Sequence, residues 1–241
     1  MKLGLFSDIH ANRDALARVV ELLRGLGATS FLCAGDVVGY GPDPAACVGL
    51  LRELGVTVVA GNHDRAAVGR EGPAGFNSLA REVLEWTTAR LTRDDAGYLD
   101  ALPLAADAGP FHLVHASPSD PGNWRYICSA EDAEPELDAF SLPACVIGHS
   151  HRPLVVERQG GEIRTLRATR FELRPGARYL VNVGSVGQPR DGDRRACCAL
   201  YDTDSREFNF HRVEYDIERV QRRMRRARLP DYLVTRLARG R

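Results

Sequence analysis

The sequence predicts an α/β fold, and three observations carry the prediction. Short apolar runs alternate with amphipathic helical patterns through the first third of the chain. The second half is dense in short apolar runs separated by glycine-rich or charged turns. The early apolar runs end, one after another, in aspartate, asparagine or histidine.

Residues 2–8, KLGLFSD, form an apolar run closed by a carboxylate. A helix follows, with Leu16, Val19, Val20 and Leu23 at helical spacing and Gly25 and Gly27 as stops. SFLCAGD, residues 30–36, repeats the apolar run and the terminal carboxylate. DPAACVGLLRELG is the next helix, with Pro44 near its first turn. VTVVAGNHD closes a βαβαβ pattern, which implies a parallel sheet covered by helices. Residues 66–110 read as helical, with Leu79, Val83, Trp86 and Leu91 on one face and Thr92 as a cap for a second helix. The late runs FHLVH, ACVIGH, PLVVER, EIRTL, RYLVNVGS, ACCALYD and EFNFHRVEYD predict a second, more antiparallel sheet. No linker, repeat or low-complexity tract divides the chain, so residues 1–241 read as a single domain. Its end, residues 217–241, reads as a basic helix with a solvated face.

Composition bounds the function. The formal net charge is zero, so no whole-molecule field draws in DNA or an anionic membrane. Nucleic acid is therefore the lesser alternative as a partner of the basic end, where arginines pair with phosphates. Lys2 is the only lysine. The six cysteines form no Cys-x-x-Cys pair, and Cys33 and Cys145 sit inside apolar runs as small hydrophobes. No stretch approaches the ~18 apolar residues of a membrane span. The apolar run at the N-terminus is too short for a signal-peptide core. A reduced, cytoplasmic protein with no membrane partner is expected.

The polar residues at the run ends are Asp8, His10, Asp36, Asn62, His63, Asp64, His115, His149 and His151. Each alone has an ordinary reading as a cap or turn residue. Together they include five of the seven histidines, and functional groups in open α/β sheets collect beyond the carboxyl ends of strands. His149 and His151 are two apart, so in extended chain their rings project to one side. Two aspartates, an amide oxygen and four imidazoles make an oxygen and nitrogen donor set without thiolate. That set holds too much nitrogen for Ca²⁺ or simple Mg²⁺ binding and suits Mn²⁺, Fe or Zn²⁺. Seven ligands exceed one tetrahedral ion but fill two if a carboxylate bridges. Two ions ~3.5–4 Å apart clamp the oxygens of an in-line phosphoryl displacement.

In order, SDIHAN, GDVVGYGP, GNHD, VHASP and GHSH resemble the signature blocks of the calcineurin-like metallophosphoesterases. The segment VNVGSVGQPRDGDRRA is similar to one in the small prokaryotic phosphoesterases of that family, which extends the resemblance over most of the chain. The resemblance implies a four-layer sandwich of two mixed β-sheets flanked by α-helices. It implies hydrolysis of phosphodiester bonds, and of phosphomonoesters as a second class, by in-line attack of a metal-bridging hydroxide. Asp8, His10 and His151 would hold the first ion and Asn62, His115 and His149 the second, with Asp36 between them. Mn²⁺ comes first, with Fe or Zn²⁺ as alternatives. His63, protonated, would donate to the leaving oxygen, and Asp64 would orient and charge it. Ala11 and Ala116 stand where the family commonly has glycine, each adding a methyl beside the cleft.

Phosphate recognition needs donors outside the metal ligands. Arg65, Arg125, Ser185 and Arg190 are the candidates, and Trp124 with Tyr126 offers a stacking surface. The expected partner is a phosphate-ester small molecule or a nucleotide. Two alternatives stay open: a catalytically silent metal-binding scaffold, and a nuclease acting on nucleic-acid ends. The residues do not specify an oligomeric state.

Overall fold

The computed structural model describes residues 1–72 and 75–241. Two six-stranded sheets stack face to face. The first runs β3–β2–β1–β11–β12–β9, from Thr57–Val58, Ser30–Cys33, Lys2–Phe6, Ala196–Asp202, Glu207–Val213 and Arg170–Glu172. The second runs β4–β5–β6–β10–β7–β8, from Ala105–Ala108, Phe111–Val114, Ala144–Ile147, Arg178–Asn182, Leu154–Gln159 and Glu162–Thr165. In the first sheet β1, β2 and β3 are parallel, and β11, β12 and β9 continue it antiparallel. In the second, β5, β6 and β10 are parallel and the flanking strands antiparallel.

This partition corrects the expectation that the late strands form one separate sheet. ACCALYD and EFNFHRVEYD return to β1 and widen the first sheet. Antiparallel pairing with β1 leaves no periodic trace in either strand, because register depends on the distant partner.

The pleat separates the layers. On β1, Leu5 faces the other sheet while Phe6 faces the outer helices. On β6, Ala144 and Val146 face the inter-sheet core, and Cys145 and Ile147 face outward. Tyr179, Val181, Phe111 and Phe208 complete the central layer. Over the first sheet lie α1 (Arg13–Gly25) and α2 (Pro44–Leu54). Asn12 caps α1 by accepting from Ala15 N at 3.2 Å, and Leu16, Val19, Val20 and Leu23 are buried beneath it. Pro44 opens α2, and Gly55, in the left-handed region at φ 62°, closes it. Over the second sheet a short segment with α6 (Ala130–Ala133) buries Ile127, Ala133 and Leu137. The result is a four-layer sandwich of two mixed sheets flanked by helices.

Asn62 begins α3 (Asn62–Ala67), followed by α4 (Ser78–Thr88) and α5 (Arg93–Asp100). Thr92 caps α5, accepting from Asp95 N at 3.1 Å. The basic end is two helices, α7 (Ile217–Arg226) and α8 (Asp231–Arg236), not one. Arg228 adopts φ 57° and Pro230 lacks an N–H, so the first helix cannot run on. The pair is anchored by Val220, Met224, Leu233 and Val234, packed with Val83 of α4. Arg223 turns inward to Asp14 at 2.7 Å and Asp43 at 3.1 Å. Among the described residues no helix is long and apolar enough to cross a membrane.

Gly148, just past β6 of the second sheet, lies hard against the end of β1 in the first. A Cβ there would lie 2.0 Å from Ser7 Oγ and 2.4 Å from Asp8 Oδ2. Gly148→Ala should lower the unfolding free energy by about 1–3 kcal/mol. Gly25→Ala, with nothing within 4 Å of its new methyl, should raise it by about 0.5–1 kcal/mol. Urea denaturation of both variants checks the pair.

Candidate metal centre

All the parallel strands of both sheets point their carboxyl ends at one edge, where the polar residues gather. Asp8 and His10 follow β1, Asp36 follows β2, His115 follows β5, and His149 and His151 follow β6. Their backbones are unusual. Asp8, His10, Asp36, His149 and His151 have φ of 52°, 45°, 54°, 65° and 58°. Non-glycine residues in the left-handed region cost about 1–2 kcal/mol each. Such strain gathers where surrounding structure forces a side-chain direction.

The forced directions converge. One potential ligand atom each from Asp8, His10 and His151 lies within 4.8 Å of the others, and so does one each from Asp36, His115 and His149. A third set, His10, Asp36 and His63, joins them. His149 and His151 do not project together as strand neighbours, because both lie in the turn beyond β6. His151 meets His10 across the centre (Nε2 to Nε2, 3.1 Å), while His149 Nδ1 meets His115 Nε2 at 3.1 Å. Asp36 stands between the groups, with Oδ2 3.3 Å from His115 Nε2 and 3.6 Å from His10 Nε2.

The donor chemistry fits a cation. His10 Nδ1 donates to Val38 O at 3.1 Å, and His151 Nδ1 donates to Gln188 O at 2.6 Å. Burial holds both rings well below the usual imidazole pKa, so they are neutral. A neutral ring with its proton on Nδ1 leaves Nε2 as a bare lone pair. Two lone pairs thus face each other at 3.1 Å, with Asp8 Oδ1 3.3 Å from His151 Nε2. Neither ring of this pair donates to the other. At the second group, Asn62 Oδ1 and His149 Nε2 are buried without hydrogen-bond partners. Burial, opposed only in part by Asp36, holds His149 down to about 3. A divalent ion in each group would satisfy the lone pairs.

Charge is organised around Asp36. Burial opposes its ionisation, but the His115, His63 and His10 imidazoles outweigh burial and keep its carboxyl well below the usual range. Burial also works against charge on His115, yet Asp36 and Asp8 overcome it and lift the ring to about 9. A proton on His115 therefore stands in for positive charge between Ala34 O, 2.7 Å away, and Asp36. Burial, reinforced by Asp36, raises Asp8 to about 7.

His63 lies on the first turn of α3, its N donating to Asp36 Oδ1 at 2.9 Å. Its ring packs between Tyr40, at 4.5 Å, and Phe76, at 4.9 Å between centroids. Burial outweighs Asp36 and sets its pKa at about 4, so the ring is neutral near pH 7 rather than protonated. Asp64 does not meet the ring. Its carboxylate accepts from Gly61 N at 3.0 Å and Val38 N at 3.1 Å, and so holds the two loops that carry His63 and Asp36. Carboxylate and imidazole are adjacent in sequence but leave opposite sides of the helical turn.

The phosphate-binding candidates divide. Arg190 lines the cleft, a space of about 130 Å³, and its guanidinium sits 5.6 Å over the Tyr40 ring. Arg65 is engaged by Glu71 at 2.9 Å, and Arg125 is paired with the buried Glu136. Ser185 is buried and spent on the main chain, donating to Asp8 O at 2.8 Å and accepting from Gln188 N at 2.9 Å. Tyr126 stacks on His149 with centroids 4.1 Å apart, whereas Trp124 meets His115 edge-on at 5.9 Å. Ala11 and Ala116 are buried. Tyr40, Phe76 and Arg236 also line the cleft and had no signal in the sequence pattern. Burial, with Arg190 alongside, pushes the Arg236 guanidinium below its usual value.

Residues 1–206 match the model of the calcineurin-like phosphoesterase superfamily domain. The chain belongs to this family. It is similar to a metallophosphoesterase from Sphaerobacter thermophilus of known structure, 40% identical, with a TM-score of 0.87 and 100% of this chain and 99% of that one covered. An uncharacterised protein of Methanocaldococcus jannaschii is 34% identical over 99% of this chain and 98% of its own length. A hypothetical protein from Pyrococcus horikoshii shares the fold at 20% identity, with a TM-score of 0.82 over 100% of this chain and 98% of that one.

In this calcineurin-like chain, a metal ion would have to compete with a proton for His115. Held near 9, His115 is protonated at neutral pH in the metal-free protein. Binding of Mn²⁺ at about pH 7.5 should then release about one proton from this ring. His115→Gln should remove that share. Titration calorimetry in buffers of different ionisation enthalpy reads the number directly.

Proposed function

We propose that this chain is a phosphoester hydrolase that holds two divalent transition-metal ions, Mn²⁺ first, with Fe or Zn²⁺ as alternatives. The observation that carries the reading is the convergence of two imidazole couples, His10 with His151 and His115 with His149, around Asp36, with the bare Nε2 atoms of His10 and His151 facing each other at 3.1 Å. Asp8, His10 and His151 would hold one ion and Asn62, His115 and His149 the other, with Asp36 shared. When bound, the ions would supply Lewis-acid polarisation of the phosphoryl oxygens and a water acidic enough to attack near neutral pH.

The chain's own groups supply the rest. His63 is held by Tyr40 and Phe76 at the mouth of the metal set and gives a hydrogen bond, then a proton, to the leaving oxygen. An arriving phosphoryl anion favours its charged form. Asp64 is a positioning residue that acts through the main chain of Gly61 and Val38. Arg190 balances phosphoryl charge and fixes orientation.

Phosphodiesters are the substrate class we place first, with phosphomonoesters second. Arg190 and Arg236 are walls of both the cleft and a larger neighbouring cavity, so a second ester arm has somewhere to go. The partner would be a small phosphate ester or a nucleotide. A catalytically silent metal-binding scaffold is the lesser reading, because His63 is present together with all seven candidate ligands.

Metal-stripped protein resupplied with Mn²⁺ should cleave bis-p-nitrophenyl phosphate, and Asp36→Asn should abolish cleavage and weaken metal binding. Retained turnover in Asp36→Asn would sink the metal mechanism. His63→Asn should lower kcat by about 10²–10⁴ with esters of poor leaving groups. It should do less with p-nitrophenyl esters, whose leaving oxygen needs no proton. Equal losses across leaving groups would remove His63 as the proton donor.

A further inference from the structure

We propose that an arginine-walled anion subsite adjoins the metal centre and selects phosphoesters that carry a second phosphate group. The proposal rests on the phosphoesterase reading above and names its substrate class. The subsite is a cavity of about 630 Å³ whose walls include Arg152, Arg190, Arg236 and Arg241. Arg190 and Arg236 also line the metal cleft, so a ligand can span the two spaces.

The arginines are available to an anion. Among the described residues, Arg152, Arg190 and Arg236 form no salt bridge with Asp or Glu. Each is aimed by a single amide or main-chain oxygen. Arg152 Nε donates to Arg190 O at 3.0 Å, Arg190 Nη2 to Gln188 Oε1 at 2.8 Å, and Arg236 Nε to Arg241 O. Arg190 Nε is buried with no partner at all. The carboxylate in the wall, Asp191, is already paired with Arg212. The half-buried Arg190 and Arg236 guanidiniums repel across the shared wall, and an anion between them relieves that repulsion. Guanidiniums bind phosphate oxygens in pairs, which ammonium groups do not. Ile127, Pro153 and Leu154 add an apolar wall for the organic body between two phosphates.

Arg236 comes from α8, beyond the 1–206 span matched to the family domain. The chain's end thus adds Arg236 and Arg241 to a wall whose other arginines, Arg152 and Arg190, lie within the family domain.

The test uses two esters with the same scissile bond: p-nitrophenyl thymidine 5′-phosphate and its 3′-phosphorylated form. With Mn²⁺-loaded protein the second phosphate should lower KM about tenfold, the worth of one good charged contact. In Arg152→Gln/Arg236→Gln the ratio of the two KM values should collapse towards one, and Arg236→Lys should keep part of it. Arg152 is exposed, so Arg152→Gln alone reads the subsite if the double variant fails to fold. A second arm needs no turnover: metal-free protein titrated calorimetrically should bind tripolyphosphate more tightly than orthophosphate, with the difference lost in the same variants. Equal KM values, or a ratio that survives the substitutions, overturns the subsite and leaves the hydrolase standing. If neither ester is cleaved with any metal, the hydrolase reading falls, and the tripolyphosphate arm decides the subsite by itself.

Discussion

A buried carboxylate, Asp36, holds the centre together. It is fully enclosed, and a lone buried charge costs several kcal/mol unless its surroundings compensate. The compensation comes from pieces that are remote in sequence, the main chain of His63 and the charged ring of His115 from the second sheet, while the first sheet is tied in by His10 N donating to the main-chain oxygen of Asp36 at 2.9 Å. Both of the former must reach the carboxylate for the charge to be tolerated. Asp36 therefore ties β1, β2, α3 and β5 to one another, and the two sheets dock where it stands. Gly61 shows how tight the arrangement is, because a Cβ there would sit 2.1 Å from Asp36 Oδ1. The glycine before Asn62 is needed for space before it is needed for chemistry.

Backbone strain follows from the same constraint. Side chains must leave the strand ends and turn back over them, and the left-handed region makes that turn in one residue. Five ligand candidates adopt it. Main-chain bonds hold them there: Asp8 N donates to Gly35 O at 2.9 Å, and His10 N to Asp36 O at 2.9 Å. Gly187 N in turn donates to Asp8 O at 2.9 Å, and Ser185 caps the same oxygen. Ser185 matters as part of this lattice, which explains why a serine that reads as a phosphate donor in the sequence is buried away from the cleft. The inter-sheet core, with Tyr179, Phe111 and Phe208 locked between layers, supplies the stability against which the strain is held.

Much of this was legible in the sequence because the candidate ligands sit at ends of apolar runs, and apolar runs are visible. Asp8, Asp36, Asn62 and His115 stand next to their strands, so strand position gives their place. That His149 and His151 turn to different side-chain groups was not legible from spacing, since the turn after Ile147 breaks the two-residue alternation on which spacing depends. Asp64 was misjudged for a related reason. Adjacency to His63 suggests contact, but helical geometry separates neighbours, and two main-chain N–H groups were nearer. Arg236 lay furthest from view. Nothing local distinguishes it from the other arginines of a basic end. Only the break at Pro230 and the packing of Leu233 and Val234 bring α8 back to the cleft.

Burial does two opposed things at this centre, and both favour cation binding. It keeps His10, His149 and His151 neutral well below neutral pH, so their nitrogens are ready to ligate. It also raises Asp8, which makes the ionised carboxylate expensive until a cation arrives. Neutral rings beside a carboxylate that resists ionising suit a dication, which would ionise the carboxylate and use the lone pairs together. His115 is the exception, because Asp36 and Asp8 both act on it. It carries the proton that a metal must displace. The zero net charge of the chain thus conceals a local division: carboxylates and bare nitrogens inside, guanidiniums at the rim. On the proposed reading, an anionic ester would meet the rim first and the centre second, where positive charge would reside on the ions and not on the protein.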